Sequence, residues 1–189
     1  MAAPLKDFDQ VPDYMDENMA TTMFRGEEQK FLPKPNFDVV TAENVVRHLV
    51  SKDEELYLGL QEKEEFVKKI VLQGRKIFAT CVFSDMPLTC VKALFEDGLT
   101  DAKFPFDEAA CPGMKSKRKF RNSFIPNQKL FNPAYFDMDS EQDWDNRITK
   151  PIDFHECTTS LLGHGTFGNV YKIWIHRDQR SISSVSLHS

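Results

Sequence analysis

A set of spaced glycines in the last quarter of the sequence constrains the fold more than any other feature. The stretch matches the pattern G-x-G-x-x-G-x-V at every specified position. It reads Leu162-Gly163-His164-Gly165-Thr166-Phe167-Gly168-Asn169-Val170. At the average glycine content of proteins, chance would place three glycines at this spacing in such a chain only about once in twenty. Glycines let a backbone approach a ligand that side chains would obstruct, so the stretch predicts a phosphate-binding loop.

The flanking residues indicate which kind of loop this is. After Gly168 the sequence runs Asn-Val-Tyr-Lys-Ile-Trp-Ile-His, which alternates as a strand does. The residues from Cys157 to Leu162 can form the partner strand. In a dinucleotide-binding fold the glycines would instead open a helix, with an acidic residue about 20 positions later. The sequence therefore predicts a β-hairpin with the glycines at its tip.

In this setting the stretch resembles the start of a eukaryotic-type protein kinase domain, and the match covers roughly Phe154 to Ile175. The preceding sequence is similar in style to the helical N-terminal region of filamentous-fungal protein kinases. The resemblance implies that ATP binds, with Mg²⁺ joining only in a full kinase domain. It implies that Phe167 covers the phosphates while Leu162 and Val170 pack on the adenine ring. The implied ATP-binding residues are Leu162, Gly163, His164, Gly165, Thr166, Phe167, Gly168 and Val170.

The other parts of a phosphotransfer site do not follow the glycines. Kinases grip the phosphates with a lysine on the third strand, and they place a catalytic Asp and a metal-binding Asp much later in the chain. Lys172 does not supply that lysine, because it belongs to the strand that leaves the loop. His176-Arg177-Asp178 spells the catalytic-loop tripeptide, but Ser183 stands where the metal-binding Asn should be, so we expect a turn. We assign no catalytic residue and expect weak ATP binding without phosphotransfer, in a truncated kinase-like chain.

The competing interpretation is a helical protein-interaction module with a vestigial glycine loop. It rests on residues 41–106, where the apolar residues follow a helical spacing. Thr41 is predicted to cap a first helix, Ser51 to Glu54 to form a capping box, and Glu62 to Val82 to form one long helix. A further helix is predicted to end at Gly98. Four of its residues should face inward: Leu88, Val91, Leu94 and Phe95.

The rest of the chain is predicted to be largely irregular. Residues 1–40 are rich in acids and prolines and lack a sustained hydrophobic period, so we expect a disordered tail. Residues 107–153 are predicted to form an irregular aromatic and charged linker, pinned to the helices by its aromatic rings. Residues 177–189 are predicted to form a second disordered tail.

Two charge runs lie inside the linker. The basic run consists of Lys115, Lys117, Arg118, Lys119 and Arg121. It has the composition of a nuclear signal or an RNA contact, but so short a run is more often a solvated loop. The acidic run from Asp137 to Asp145 alternates as a metal site does, yet it lacks the glycine and the closing glutamate of a calcium loop. We therefore expect neither nucleic acid nor a metal ion to bind.

Composition narrows the cellular setting. The net charge of −5 argues against a nucleic-acid-binding protein, and no apolar run is long enough for a transmembrane helix. The first residues carry acids where a signal peptide would be basic or apolar. The four cysteines lack the spacing of a zinc site: Cys81, Cys90, Cys111 and Cys157. We expect a cytoplasmic or nuclear protein without membrane contact, with weak nucleotide binding and a protein partner for the helical region.

These patterns together predict an α+β fold. A mainly α N-terminal region is followed by a single β-hairpin, in residues 154–176, which would be the first part of a kinase small lobe. An isolated hairpin is only marginally stable in water. Unless the helices cover it, its strands should be poorly held, with Tyr171 and Trp174 exposed.

Overall fold

The computed structural model describes residue 5 and residues 7–114, 118–136, 147–154, 161–166 and 168–180. The helices are α1 (Val11–Glu17), α2 (Lys34–Val40), α3 (Glu43–Lys52), α4 (Leu60–Gln73), α5 (Arg75–Phe83), α6 (Thr89–Glu96) and the one-turn α7 (Ile125–Asn127). The strands are β1 (Ala20–Phe24), β2 (Glu27–Phe31), β3 (Ile152–Asp153), β4 (Leu161–Gly165), β5 (Gly168–Tyr171) and β6 (Trp174–Ile175). The fold is mainly helical with short antiparallel strand pairs, in agreement with the α+β prediction.

The predicted long helix from Glu62 to Val82 is instead two helices, α4 and α5, which break at Gly74. Gly74 has a non-helical φ of −144°, and its N–H ends α4 by donating to the carbonyl of Ile70 at 2.9 Å. A side chain at Gly74 would collide with the ring of Phe95 on α6. The break therefore lets α6 pack closely against the junction of α4 and α5.

Helix α6 agrees with the sequence prediction. Leu88 and the α6 residues Val91, Leu94 and Phe95 are buried in the main hydrophobic core. Gly98 follows the end of the helix with a φ of +72°, in the left-handed region that glycine adopts without strain. The helix end is therefore confirmed.

The predicted helix starts at Thr41 and Ser51 are wrong. The Thr41 hydroxyl donates to the carbonyl of Phe37 at the end of α2, and the Ser51 hydroxyl donates to the carbonyl of His48 inside α3. Such bonds to a carbonyl three or four residues back compete with the capping role of these side chains. The capping carboxylate lies further on, where Glu62 accepts from the Gly59 N–H at 2.8 Å at the start of α4.

The prediction of a disordered tail over residues 1–40 is wrong for residues 7–40. This segment forms α1, the β1–β2 hairpin and α2, and its apolar side chains build a second core with Ala79 and Phe131. The buried side chains from the segment include Val11, Met15, Leu32 and Val40. Each short element supplies only one or two of them, so no hydrophobic period marks the segment. Composition suggested that this segment buries too little apolar surface to offset the entropy lost on ordering. Burial of its side chains against residues distant in the sequence supplies the missing stabilisation.

Three separate two-stranded sheets occur in the described residues, which corrects the prediction of a single hairpin. β1 pairs with β2 and β4 with β5, each as an antiparallel hairpin, while β3 pairs antiparallel with β6. The first hairpin turns at Arg25 and Gly26, both with positive φ. This hairpin was missed because its strands, ATTMF and EEQKF, are polar and its turn lacks an Asn-Gly or Asp-Gly pair.

The aromatic part of the linker is pinned as expected. Its buried rings are Phe120, Phe124 and Phe131, and Phe104 and Phe106 are buried just before it. The buried side-chain amide of Gln128 also holds this segment in place. It accepts from the Phe106 N–H at 2.7 Å and donates to the Phe106 carbonyl at 3.0 Å. The acidic run and residues 181–189 lie outside the described residues. Within the second predicted tail, however, Arg177–Gln179 form a 3₁₀ turn with Gln179 buried, so order extends to Arg180.

Candidate functional site

The predicted glycine hairpin is present as β4 and β5. Gly163 pairs with Val170, His164 with Asn169 and Gly165 with Gly168, so the glycines stand at the tip and on both strands beside it. The register shifts between Leu161 and Gly163, which places an irregularity at Leu162. Thr166 lies in the connection, and Phe167 falls outside the described residues. The structure therefore places the described members of the predicted site along one short hairpin.

Gly163 stands in strand β4, next to the irregularity at Leu162. Its φ is not in the left-handed region, and a Cβ atom built on it would meet nothing within 4 Å among the described residues. Glycine inside a strand costs roughly 0.5–1 kcal/mol relative to alanine. Such a glycine often marks a bulge or a place where a ligand approaches the backbone closely. At Gly163 no described side chain covers the backbone on the side where a Cβ would lie.

The two predicted adenine-contacting residues are on the surface. Leu162 is 67% exposed and Val170 is 59% exposed, so neither side chain fills the protein interior. Exposed apolar side chains beside an open backbone suit the flat apolar face of a base. Lys172 directly follows β5, and its ammonium lies 4.7 Å from the ring centroid of Trp174.

The base of the glycine hairpin is held by the rest of the fold. The Phe154 ring meets the Tyr171 ring edge to face at 5.4 Å between centroids, and β6 pairs with β3. Phe154 in turn donates its N–H to the carbonyl of Met23 and accepts from the N–H of Arg25, each at 2.9 Å. The expected exposure is confirmed for Trp174, at 56%, but it is wrong for Tyr171, which is partly buried against Phe154. The hairpin is therefore fastened at its base and open at its tip.

The tripeptide His176-Arg177-Asp178 forms a turn, as predicted. Arg177–Gln179 is a 3₁₀ turn that follows β6, and the His176 ring packs against Phe31 at 5.3 Å between centroids. Its Nδ1 accepts from the N–H of Asp178 at 3.4 Å. The histidine and the backbone of the aspartate therefore take part in the turn and its packing.

The basic run makes contacts with acids of the same chain where it is described. Lys119 pairs with Asp85 at 2.5 Å and Arg121 with Glu108 at 3.7 Å. Lys115 and Lys117 lie outside the described residues. Within the described ranges no group of three or more His, Cys, Asp or Glu side chains is placed to hold a metal ion. No helix in those ranges combines the length and the apolar character needed to cross a membrane.

Sequence reasoning missed a cavity that lies between α2, the start of α5 and the turn at Gln179. Its volume is about 240 Å³. The cations Lys34, Arg75 and Lys76 line it together with Gln179. Burial lowers the pKa of the Lys76 ammonium. No local pattern could have identified this site, because its residues come from segments far apart in the sequence.

Comparison with protein-family models, with curated proteins and with solved structures finds no match to this chain. The kinase resemblance therefore rests on the motif residues alone. Function has to be inferred from the geometry of the glycine hairpin and of the cavity.

Proposed function

We propose that the β4–β5 hairpin binds the phosphate groups of ATP, as the first element of a protein-kinase-like domain. The observation that carries the proposal is the open backbone at Gly163, within a complete G-x-G-x-x-G-x-V spacing on an antiparallel hairpin. A glycine inside a strand is accounted for by a bulge or by the close approach of a ligand, and the irregularity at Leu162 is compatible with both. The complete spacing of the three glycines favours the ligand.

The binding would work through the main chain. Backbone N–H groups near Gly163, Gly165 and Gly168 would donate to phosphate oxygens, because no Cβ atoms stand in the way. Leu162 and Val170, both exposed, would cover the apolar face of adenine. A single hairpin offers few such contacts, so we expect a Kd of about 1 mM or weaker.

The same residues do not provide for phosphotransfer. The 189 residues contain no third-strand lysine, no D-F-G and no H-R-D followed by the metal-binding Asn. Positioned magnesium and a positioned acceptor hydroxyl carry most of the catalysis in kinases. We therefore propose nucleotide binding without phosphoryl transfer by this chain alone. Incubating it with labelled MgATP and a mixed protein substrate should give no more incorporated phosphate than a blank without the chain.

A titration of the ¹⁵N-labelled chain with MgATP tests the binding. The backbone amide signals of Gly163, Gly165 and Gly168 should shift together and saturate with one Kd. Gly163→Ala adds a methyl group over the open backbone and should weaken binding about tenfold, the cost of losing a hydrogen bond to a charged group. The fold should survive, since a Cβ at Gly163 meets no described atom within 4 Å.

Gly113→Ala provides the matched control. It makes the same chemical change at a glycine whose added Cβ would meet only Asp97, at an ordinary 3.7 Å. This variant should bind MgATP as the wild type does. Unshifted glycine amides at about 10 mM MgATP, or equal affinities for Gly163→Ala and Gly113→Ala, would overturn the proposal.

The alternative function, a helical interaction module with a vestigial loop, is favoured by a different surface. Tyr57 is 92% exposed and Leu60 is 89% exposed, at the start of α4. Tyr57 also has a φ of +44°, an unusual conformation for a bulky residue. Exposed apolar side chains of this kind are found at protein-binding surfaces. A failed MgATP titration would leave this as the better-supported function.

A further inference from the structure

The cavity between α2 and α5 has the features of a small-molecule site that is separate from the glycine hairpin. We call it the α2–α5 cavity and define it by Lys34 and Phe37 of α2, Arg75 and Lys76 of α5, Phe131 and Gln179. It has a volume of about 240 Å³. Cavities for drug-sized ligands usually measure about 300–1,000 Å³, so this one suits a ligand of a single ring.

Three cations and one carboxylate, that of Asp38, line the cavity, so positive charge predominates. Lys34 and Arg75 both bind Asp38, at 2.6 Å and 2.7 Å, so one carboxylate serves two cations. Lys76 donates to the neutral amide oxygen of Asn132 at 2.7 Å, and none of the ion pairs within the described residues includes its ammonium. The carboxylate of Asp101 lies near Lys76 but accepts from the backbone N–H groups of Lys76 and Ile77. The cavity therefore has capacity for one further negative charge.

A buried donor at the cavity has no acceptor. Gln179 is 2% exposed, and its side-chain nitrogen Nε2 has no hydrogen-bond partner in the part of the chain that the structure describes. Its backbone is fully used, since its N–H donates to the His176 carbonyl and its carbonyl accepts from the Phe136 N–H. Buried polar groups almost always have partners, and an exception indicates a missing water, ion or ligand.

Aromatic rings supply the apolar walls. The Phe37 ring lies 5.1 Å below the guanidinium carbon of Arg75, so it supports one of the cations. Phe131 is buried and packs edge to face on Phe83 at 5.6 Å, which fixes its position. A flat ring fits between such walls, while its charged substituent reaches the cations.

We propose that the α2–α5 cavity binds a small aromatic carboxylate. The carboxylate would pair with Lys76, while the ring would lie against Phe37 and Phe131. The Nε2 of Gln179 has less than 1 Å² of accessible surface, so the side chain would turn toward the cavity to donate to the carboxylate. A nucleoside triphosphate is too large for this volume, so the site is independent of the glycine hairpin. Binding would also supply the acceptor that the buried glutamine lacks.

Thermal unfolding of the full chain in benzoate tests this site. At concentrations well above Kd, benzoate should raise the midpoint of unfolding by about 5–10 °C. Benzyl alcohol has the ring without the charge, and inorganic phosphate has the charge without the ring. Both should raise the midpoint by less than half as much at equal concentration.

Two variants identify the contacts. Gln179→Leu removes the orphan donor, so the ligand-free protein should unfold at the same or a higher temperature while most of the benzoate shift is lost. Lys76→Met should lose the shift as well, whereas Lys68→Met, at an exposed position on α4, should keep it. If Lys76→Met is too unstable to purify, Gln179→Leu decides alone.

Three results would overturn the inference. One is no rise of the unfolding midpoint at about 50 mM benzoate. Another is an equal rise with phosphate, which would indicate a general ion effect. The third is a full benzoate shift in Gln179→Leu.

Discussion

The two hairpins of this protein have the same antiparallel pairing but differ in how they are packed. The β1–β2 hairpin buries Thr22 and Phe31, and its strand β1 is bonded to Phe154. The β4–β5 hairpin exposes Leu162 and Val170. The first hairpin places one side chain of each strand in the protein interior, while the second projects a tip that the described fold leaves uncovered.

Their glycines differ in the same way. Gly26 has a φ of +83° and makes the tight turn between β1 and β2. Gly163 has an ordinary strand backbone and open space where a Cβ would lie. The need for Gly26 can be explained within the described fold. Gly163 lies beside the register irregularity at Leu162, and no described atom occupies the space beside it, which is the observation on which the proposed nucleotide binding rests.

The largest expected effect comes from removing a core ring of the first hairpin. Phe31 is fully buried and packs on His176, so Phe31→Ala should lower the free energy of unfolding by about 3–5 kcal/mol. Leu162→Ala, in the second hairpin, should change it by less than about 0.5 kcal/mol. Urea denaturation of both variants gives the two values. A large loss for Leu162→Ala would show that the second hairpin is packed after all and would remove the contrast.

The second effect, of intermediate size, concerns pH. Burial raises the pKa of the Cys111 thiol to about 11, above the ordinary value of 9.0. The thiol of the unfolded chain therefore ionises first as the pH rises, and stability that is fully present below pH 9 is lost between about pH 9 and 11. The loss from this group should be roughly 2 kcal/mol.

Urea titrations at pH 8 and pH 11 isolate this contribution. In Cys111→Ala the fall in stability between the two pH values should be smaller than in the wild type by that amount. Gly163→Ala, a change confined to the glycine hairpin, should keep the wild-type fall. Equal falls in Cys111→Ala and the wild type would show that the thiol is not held in the packed region as the structure has it.

The smallest effect contrasts the two glycines directly. Gly26→Ala forces an alanine into the left-handed region and should cost about 1–2 kcal/mol. Gly163→Ala should leave stability unchanged or raise it by up to about 1 kcal/mol. The urea midpoints of the two variants measure the difference. A destabilised Gly163→Ala would mean that this glycine serves the fold, and the main support for nucleotide binding would be lost.

Local patterns in the sequence predicted the secondary structure that depends on residues close together in the chain. The alternation after Gly168 predicted the second hairpin, and the helical spacing of Val91 and Leu94 with Gly98 after them predicted α6 and its end. Both patterns work because strand alternation and helix periodicity depend on residues only a few positions apart. The cap assignments at Thr41 and Ser51 were wrong because each hydroxyl can bond to either of two local partners. Each one donates to a carbonyl earlier in the chain and does not cap the following helix.

Only the tertiary structure decided the rest. Residues 7–40 fold because Val11, Met15 and Leu32 are buried against residues such as Phe131, which lies about a hundred positions away. Position 74, where α4 ends, has no room for a side chain because the ring of Phe95 occupies the space beside it. The α2–α5 cavity likewise joins Lys34, Lys76 and Gln179, which share no sequence neighbourhood. Short-range periodicity determines elements, whereas burial and charge at a site depend on contacts between residues that the sequence keeps far apart.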